Sequence, residues 1–243
     1  MQTGALVART WRGLVGVHRG IEATTWGRLL LGNVWPAYLF ALPLGVRLWG
    51  FLLRLTQRPA QTSVHVLALE LQELVTIAFL LLIVALFAIR RPVVGRHAGW
   101  RAGLVALAGT FLLNVVGFLP VGSSTSTVVV LVSTAVILLG SLFTIWSLAT
   151  LGRCFGLLPE VRGLVQRGPY RWVRHPVYLG ELTSALGLLI ARPHPAIVAL
   201  YLVFVWLQLW RTQLEEAALM EVFPSEYPAY RERVPRLLPG WPR

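Results

Sequence analysis

The chain has 243 residues, of which 56% are hydrophobic and only 13% are charged, and its net charge is +12. Apart from the histidines, every basic residue is arginine and every acidic residue is glutamate. This composition excludes Schiff-base chemistry and lysine-dependent phosphate loops, as well as aspartate-rich magnesium clusters, and it indicates an integral membrane protein rather than a soluble domain.

The first 26 residues carry several charges but contain no continuous apolar core. They are therefore predicted to form an interfacial segment rather than a cleaved signal peptide. Residues 27–150 follow as a second unit. Their apolar stretches are each about 20 residues or longer, the length that crosses roughly 30 Å of hydrocarbon. The four predicted spanning helices cover residues 29–53, 66–89, 102–122 and 127–150.

Arginines are concentrated at the ends of these apolar stretches. The segments 90–101 and 151–175 are rich in arginine, whereas the turn 121–127 has none. The positive-inside rule then places both arginine-rich segments in the cytoplasm. The expected partners of these arginines are membrane lipids and not nucleic acid. The all-arginine, alanine-rich usage fits a high-GC bacterial genome, so the inner membrane is the predicted location.

Few polar residues lie within the predicted spans. Glu70 and Glu73 share one helix face at a depth similar to that of Arg47, which predicts a structural ion pair. Asn114 is expected to hydrogen-bond between helices. The single cysteine, Cys154, excludes an intramolecular disulfide and is expected to be a small residue near a helix end. No set of histidines and glutamates has zinc-ligand spacing, so no metal site is predicted.

The last third of the chain, residues 151–243, is predicted to fold back on itself. The apolar run from Pro176 is about 15 residues, too short to cross comfortably, and "RPHP" at 192–195 ends it. A helix from Pro176 to Pro193 rises about 26 Å, and one from Pro195 to Glu215 returns about 30 Å. This helical hairpin therefore brings "RTQLEE" back to the level of "RHPVY".

The hairpin collects side chains of both charge signs together with tyrosines at the membrane edge. Ionisable groups at that depth suggest a site unless they are paired or solvated. Such a pocket suits a zwitterionic, partly aromatic ligand. The alternative is that the arginines simply extend to lipid head groups and the glutamates neutralise them.

Three motifs occur in order in this region: "LVQRGPYRWVRHPVYLGE", "WRTQLEE" and "EYPAYRERVPRLLPG". Over about residues 150–240 the chain closely resembles the isoprenylcysteine carboxyl methyltransferase family and its phospholipid N-methyltransferase relatives. The resemblance implies a membrane-embedded enzyme that transfers a methyl group from S-adenosyl-L-methionine to a lipophilic small-molecule acceptor entering from the bilayer. The first three spans contribute nothing to it.

The resemblance also assigns residues. Arg211, which would meet the acceptor's polar head, is expected to be catalytic, together with His175 and Arg174. The segment 162–165 would contact the cofactor through its backbone, and Phe155 is a weaker candidate. The residues expected to bind S-adenosylmethionine are Arg162, Gly163, Leu164, Val165, Tyr170, His175, Pro176, Val177, Tyr178, Glu215 and Glu216.

The sequence therefore predicts an all-α integral membrane protein with four spanning helices, a C-terminal helical hairpin and a cytoplasmic cofactor pocket. Two other functions remain open. "HPVYLGE" also fits NADPH-dependent membrane reductases of the sterol-reductase type, and an inert membrane scaffold is possible in principle. The acceptor group is open as well, since carboxylate, amine, hydroxyl and thiol heads are all compatible with the motifs.

Overall fold

The computed structural model describes residues 34–56, 63–96, 100–122, 124–158 and 160–238. The interfacial segment predicted over residues 1–26 lies outside the described residues. Three short 3-10 helices, Leu112–Phe118, Gly152–Cys154 and Gly168–Arg171, lie between the longer elements. Within these ranges the α-helices are α1 (Trp35–Thr56), α2 (Val64–Ile89), α3 (Trp100–Phe111), α4 (Thr127–Leu151), α5 (Pro176–Ala191), α6 (Pro195–Val222) and α7 (Glu226–Arg233).

Four helical segments of the described chain are long and apolar enough to cross a membrane: Pro36–Thr56, Val64–Ile89, Thr127–Cys154 and Pro195–Val222. The predicted helical membrane fold is thereby confirmed, but residues 102–122 do not form one continuous α-helix. There the α-helix ends at Phe111 and a 3-10 helix follows. Asn114, two β-branched valines and Gly117 are poor helix formers, which accounts for the early end.

The returning arm of the hairpin is itself the fourth spanning segment. Helix α6 continues seven residues beyond Glu215, to Val222. The added residues, "EAALMEV", are mostly strong helix formers, so no local signal stops the helix at the end of the apolar run. The hairpin therefore consists of a short arm, α5, and a longer arm, α6.

The break between the two arms follows from the "RPHP" sequence. Pro195 is the first residue of α6, a position where its missing N–H is not needed. His194 precedes it and caps the helix, because its side chain accepts a hydrogen bond of 3.2 Å from the Ala196 backbone N–H. Pro176 is likewise the first residue of α5, but the His175 side chain before it makes no capping hydrogen bond.

One small element departs from the all-α expectation. Gly95–Arg96 (β1) pairs antiparallel with Glu160–Val161 (β2), with Gly95 opposite Val161. The two strands have two residues each, too few for a sequence pattern to reveal. The pair joins the loop after α2 to the segment that follows α4.

Helix packing places the hairpin against the rest of the bundle. Helix α4 lies along α5, α2 packs on both α1 and α4, and α3 contacts α6. An apolar cluster of Phe40, Leu44, Ile77, Phe87, Leu148 and Phe155, among others, joins α1 and α2 to the end of α4. The segment after α4 therefore rests on a rigid base.

Candidate active site

A cavity of about 350 Å³ lies beside the hairpin, a volume in the range of small-molecule sites. Its C-terminal wall is formed by side chains from the segment 154–165, the corner 170–175, and helices α5, α6 and α7. Its N-terminal wall comes from α1, α2, α3 and the 3-10 helix that follows α3. The N-terminal wall is mainly apolar and includes Leu39, Phe40, Phe79, Leu80, Ile83 and Phe111.

The structure brings most of the residues predicted for the site to this one cavity. Pro176 and Glu216 are the exceptions: both are buried and neither lines the cavity. The predicted residues that do line it are Arg162, Gly163, Leu164, Val165, Tyr170, Arg174, His175, Val177, Tyr178, Arg211 and Glu215, and Phe155 lines it as well.

Glu216 instead fixes the corner against α6. Its Oε1 atom accepts hydrogen bonds from Arg174 Nε at 3.0 Å and from His175 Nε2 at 3.1 Å. Its Oε2 atom accepts from Arg236 Nη2 at 2.9 Å, and Arg236 Nε also donates to Oε1, so this arginine binds the carboxylate with two N–H groups. These bonds confirm the predicted return of "RTQLEE" to "RHPVY". Because Glu216 does not line the cavity, its contact with the cofactor stays a prediction.

Arg174 makes structural contacts in this geometry, and its catalytic role stays a prediction. Its Nη1 atom donates to the backbone carbonyls of Arg231 at 3.0 Å and Val234 at 2.6 Å. Its Nε and Nη2 atoms both lie 3.0 Å from Glu216 Oε1. Since a guanidinium has five N–H donors, nearly all of them are already used. Arg174 therefore links the corner to the C-terminal segment.

Glu215 is the acid that opens to the cavity. Its side chain is 31% exposed, whereas that of Glu216 is 6% exposed. Its Oε1 atom accepts a hydrogen bond from the Tyr178 hydroxyl, and its Oε2 atom lies 3.7 Å from His175 Nδ1. Burial lowers the pKa of His175, but the two carboxylates outweigh it and the pKa rises above its ordinary value. The two acids therefore favour the protonated form of His175.

Arg211 lies one helical turn before Glu215, on the same face of α6. Its guanidinium carbon is 4.8 Å from the centre of the Tyr178 ring, a cation–π contact. Its Nη1 atom donates to Gln208 Oε1 at 3.1 Å, and Gln208 Nε2 in turn donates to Glu181 Oε2. Arg211 and Glu181 both line the cavity, whereas the fully buried Gln208 joins them from behind.

The segment 162–165 offers backbone donors. The N–H groups of Gly163, Leu164 and Val165 have no hydrogen-bond partner among the described residues, although all three line the cavity. Gly163 has φ +156°, and a Cβ there would lie 2.8 Å from the Cys154 sulfur. A side chain at this position would therefore displace the loop. Cys154 acts as a small packing residue under the segment, as predicted.

Two further lining residues, Tyr227 and Tyr230, were not singled out from the sequence. Both lie in α7, and the Tyr230 hydroxyl donates to the Tyr170 carbonyl at 2.7 Å. They belong to the third motif, "EYPAYRERVPRLLPG". The sequence predicts only that this segment caps the protein, so it does not indicate which tyrosine side chains face the cavity. Helix α7 therefore closes the cavity as well as capping the protein.

Ion pairing at the N-terminal wall also matches the expectation. Arg47 Nη1 lies 2.7 Å from Glu73 Oε2, and Arg54 Nη2 lies 3.4 Å from Glu73 Oε1. Glu73 thus joins α1 to α2. Within the described residues, no group of three or more histidine, cysteine or acidic side chains is arranged to hold a metal ion.

Comparison with known proteins identifies the region that carries this site. Residues 128–226 match the family model described as phospholipid methyltransferase. The mouse protein-S-isoprenylcysteine O-methyltransferase is 38% identical over 81 residues, which are 33% of this chain and 29% of the mouse protein. The yeast enzyme of the same name is 35% identical over 72 residues, which are 29% of this chain and 30% of that protein. These matches confirm the resemblance predicted from the three motifs.

A plant relative matches over a longer stretch. The Arabidopsis thaliana protein-S-isoprenylcysteine O-methyltransferase B is 32% identical over 109 residues, which are 42% of this chain and 55% of that protein. The matched part covers less than two thirds of each of these relatives. Among solved structures, the eukaryotic intramembrane Ras methyltransferase (isoprenylcysteine carboxyl methyltransferase) aligns with 99% of this chain and 86% of its own, at 18% identity and a TM-score of 0.49.

Proposed function

We propose that the chain is a membrane-embedded methyltransferase, since residues 128–226 of this integral membrane protein match the phospholipid methyltransferase family model. It takes its methyl group from S-adenosylmethionine and transfers it to a lipid-like or prenylated acceptor. The observation that carries this proposal is the fold-back of α6, which puts Glu215 and Arg211 into one cavity with the corner and the segment 162–165.

The residues of the C-terminal wall fit the chemistry of S-adenosylmethionine, which combines a sulfonium, an ammonium, a carboxylate and an aromatic base. Glu215 offers a half-open carboxylate to a cation. The unpartnered backbone N–H groups of 163–165 offer donors to the base or the carboxylate. Tyr170, Tyr178 and Leu164 supply the apolar and aromatic surface.

S-Adenosylmethionine supplies an already activated methyl group, so the protein's task is to align two reactants and exclude water. Arg211 orients the acceptor's polar head, and its stacking on Tyr178 fixes the direction of its N–H groups. Glu216, Arg174 and Arg236 hold the corner in place. The apolar N-terminal wall receives the lipophilic part of the acceptor.

We place the cofactor entrance on the cytoplasmic side of the bacterial inner membrane. The support for this orientation is the concentration of arginines in the segments 90–101 and 151–175. The strand pair β1–β2 connects these two segments, and the second of them contains the corner. The acceptor then enters from the bilayer and the methyl donor from the cytosol.

The proposal is tested by direct binding of S-adenosylhomocysteine and of NADPH to the purified protein in detergent. We expect calorimetric binding of the first ligand only. Glu215→Ala should weaken that affinity by about tenfold or more, because a charged hydrogen-bonding partner contributes roughly 1.5–3 kcal/mol. The matched control is Glu221→Ala, an exposed acid on the same helix, which should bind as the wild type does.

Binding of NADPH alone would overturn the proposal in favour of a reductase, and binding of neither ligand would favour a scaffold. An unchanged affinity in Glu215→Ala would remove this residue from the site. Mass spectrometry of membranes incubated with isotopically labelled methyl donor should then reveal a labelled lipid that depends on the protein.

A further inference from the structure

Glu181 is a half-buried acid of the cavity that has no role in the cofactor contacts proposed above. It lies in α5, one turn after Tyr178. Its Oε2 atom accepts from Gln208 Nε2, whereas its Oε1 atom has no hydrogen-bond partner among the described residues. A carboxylate in an apolar helix is unfavourable unless both oxygens are satisfied. Its free oxygen in the cavity therefore points to a ligand group that donates a hydrogen bond.

Glu181 and Arg211 reach the same part of the cavity. The amide of Gln208 accepts from Arg211 Nη1 at 3.1 Å with one end and donates to Glu181 with the other. A single amide thus spans the distance between the cation and the carboxylate. Gln208 is fully buried and has both ends bonded, so it holds the two side chains at a fixed separation. A ligand group bound to Arg211 on the side of Gln208 therefore lies close to Glu181.

This pair selects among the possible acceptor groups by hydrogen-bond complementarity. Arg211 requires an acceptor atom and Glu181 requires a donor. A carboxylate acceptor would satisfy Arg211 but would lie against a second carboxylate. An aliphatic amine is an ammonium in water at neutral pH, and in that form it would satisfy Glu181 but lie against a guanidinium. A hydroxyl group donates with its hydrogen and accepts with its oxygen, so it satisfies both without adding a charge to a membrane-buried site.

We propose that Glu181 is a catalytic base and that the methyl acceptor is a lipid-borne hydroxyl group. This inference rests on the proposed methyl transfer and deepens it by naming the acceptor. In the balanced step, the acceptor O–H bond breaks and its proton passes to Glu181 Oε1. The acceptor oxygen bonds to the methyl carbon, and the carbon–sulfur bond of the donor breaks with its electron pair left on sulfur. The product is a methyl ether.

The first test reads the chemistry of the product. Membranes containing the wild-type protein are incubated with labelled S-adenosylmethionine, and the labelled lipids are treated with mild alkali. A methyl ether resists alkali and stays neutral in acid, whereas a methyl ester releases labelled methanol and an N-methyl amine becomes cationic in acid. We expect an alkali-stable, neutral product. Release of methanol or a basic product would overturn the hydroxyl acceptor.

The second test uses Glu181→Gln, which keeps the shape and can still accept from Gln208. Loss of a general base costs about 10²–10⁴-fold in rate. We therefore expect kcat for labelled lipid to fall by about 100-fold or more, with S-adenosylhomocysteine affinity within about twofold of the wild type. The matched control is Thr183→Val on the same helix, whose hydroxyl bonds only to the Leu179 carbonyl and whose loss should leave kcat unchanged.

The outcomes separate this inference from the proposed function. If Glu181→Gln turns over as fast as the wild type, Glu181 does not accept a proton in the reaction, and its role as a base is overturned. Failure of the wild type to bind S-adenosylhomocysteine would overturn the proposed function and the inference together. A folded, cofactor-binding Glu181→Gln variant that has lost turnover supports both.

Discussion

His175 lies between two carboxylates that belong to neighbouring residues of one helix. Its Nε2 atom is 3.1 Å from Glu216 Oε1 and its Nδ1 atom is 3.7 Å from Glu215 Oε2. Both ring nitrogens thus face an acid, an arrangement that favours the imidazolium. The residue precedes α5 and lies outside the four spanning segments. In its protonated form, His175 therefore strengthens the attachment of α6 to the corner.

This arrangement predicts a pH dependence of stability. The folded-state pKa of His175 lies above the ordinary value of 6.5. Its stabilising contribution is then fully present below that value and is lost as the pH rises through the folded-state pKa. We therefore expect the wild type to have a higher thermal unfolding midpoint than His175→Gln in detergent at low pH. This difference should shrink as the pH rises. Midpoints that stay equally far apart from pH 5.5 to 9 would contradict the assignment.

Glu215 and Glu216 show how far the sequence predicts individual site residues. The motif "RTQLEE" predicts that an acid returns to the corner, and it does. Successive residues of a helix point about 100° apart, so only one of the two can face the cavity. Which one does depends on the rotation of α6, and that is set by the contacts of Arg174, His175 and Arg236 with Glu216. No local pattern encodes these long-range contacts.

At the scale of elements, α4 and α5 approach closely through small residues. A Cβ on Gly187 would lie 2.8 Å from the Ile137 backbone nitrogen and 2.9 Å from the Ser133 carbonyl oxygen. A Cβ on Gly140 would similarly meet the Gly180 carbonyl at 2.6 Å. Small residues at such crossings allow helices in membranes to pack by direct backbone contact. This contact sets the position of the short hairpin arm.

We therefore expect Gly187→Ala to destabilise the folded protein by about 1–3 kcal/mol, the usual cost of overpacking against a rigid backbone. The measurement is the thermal midpoint of the purified protein. Gly103→Ala in α3 is the matched control, because a Cβ there has no neighbour within 4 Å and alanine favours a helix. Equal midpoints for the two variants would show that α4 and α5 can separate without cost.

Helix ends were harder to predict than helices. The apolar lengths of α1, α2 and α4 are evident in the sequence, and the prolines at 193 and 195 mark the hairpin turn. The stretch 102–122 is equally apolar, but hydropathy alone does not distinguish an α-helix from the 3-10 helix Leu112–Phe118. The span of α6 was underestimated because its last part is amphipathic and polar while still helical. Both errors come from equating a helix with its apolar run.

At the scale of the whole molecule, the C-terminal segment 234–236 is hydrogen-bonded to the corner and to α6. The backbone N–H groups of Arg174 and His175 donate to the carbonyls of Pro235 and Arg236 at 2.8 and 3.1 Å. The Arg236 side chain adds its two bonds to Glu216. Residues 234–236 are thus tied to both sides of the hairpin, although they lie far along the chain from α5.

We expect Arg236→Ala to loosen this segment. The loss should be about 1 kcal/mol, because the arginine side chain is 32% exposed and solvent screens part of the interaction. Hydrogen exchange followed by mass spectrometry should show faster exchange over residues 226–236. Arg233→Ala is the control, since that side chain bonds at the surface to the Ala229 carbonyl and Gln166. Identical exchange in the two variants would mean that the backbone bonds alone secure the segment.

The two walls of the cavity come from different parts of the chain. Most of the C-terminal wall lies within the family match at 128–226, whereas the side chains of the N-terminal wall lie between Leu39 and Asn114, before the match begins. Under the proposed function, the choice of acceptor can diverge without disturbing the residues that bind the methyl donor. A chimera that carries the first three helices of a homologue on this hairpin would then combine the proposed methyl-transfer site of this chain with the acceptor of the homologue.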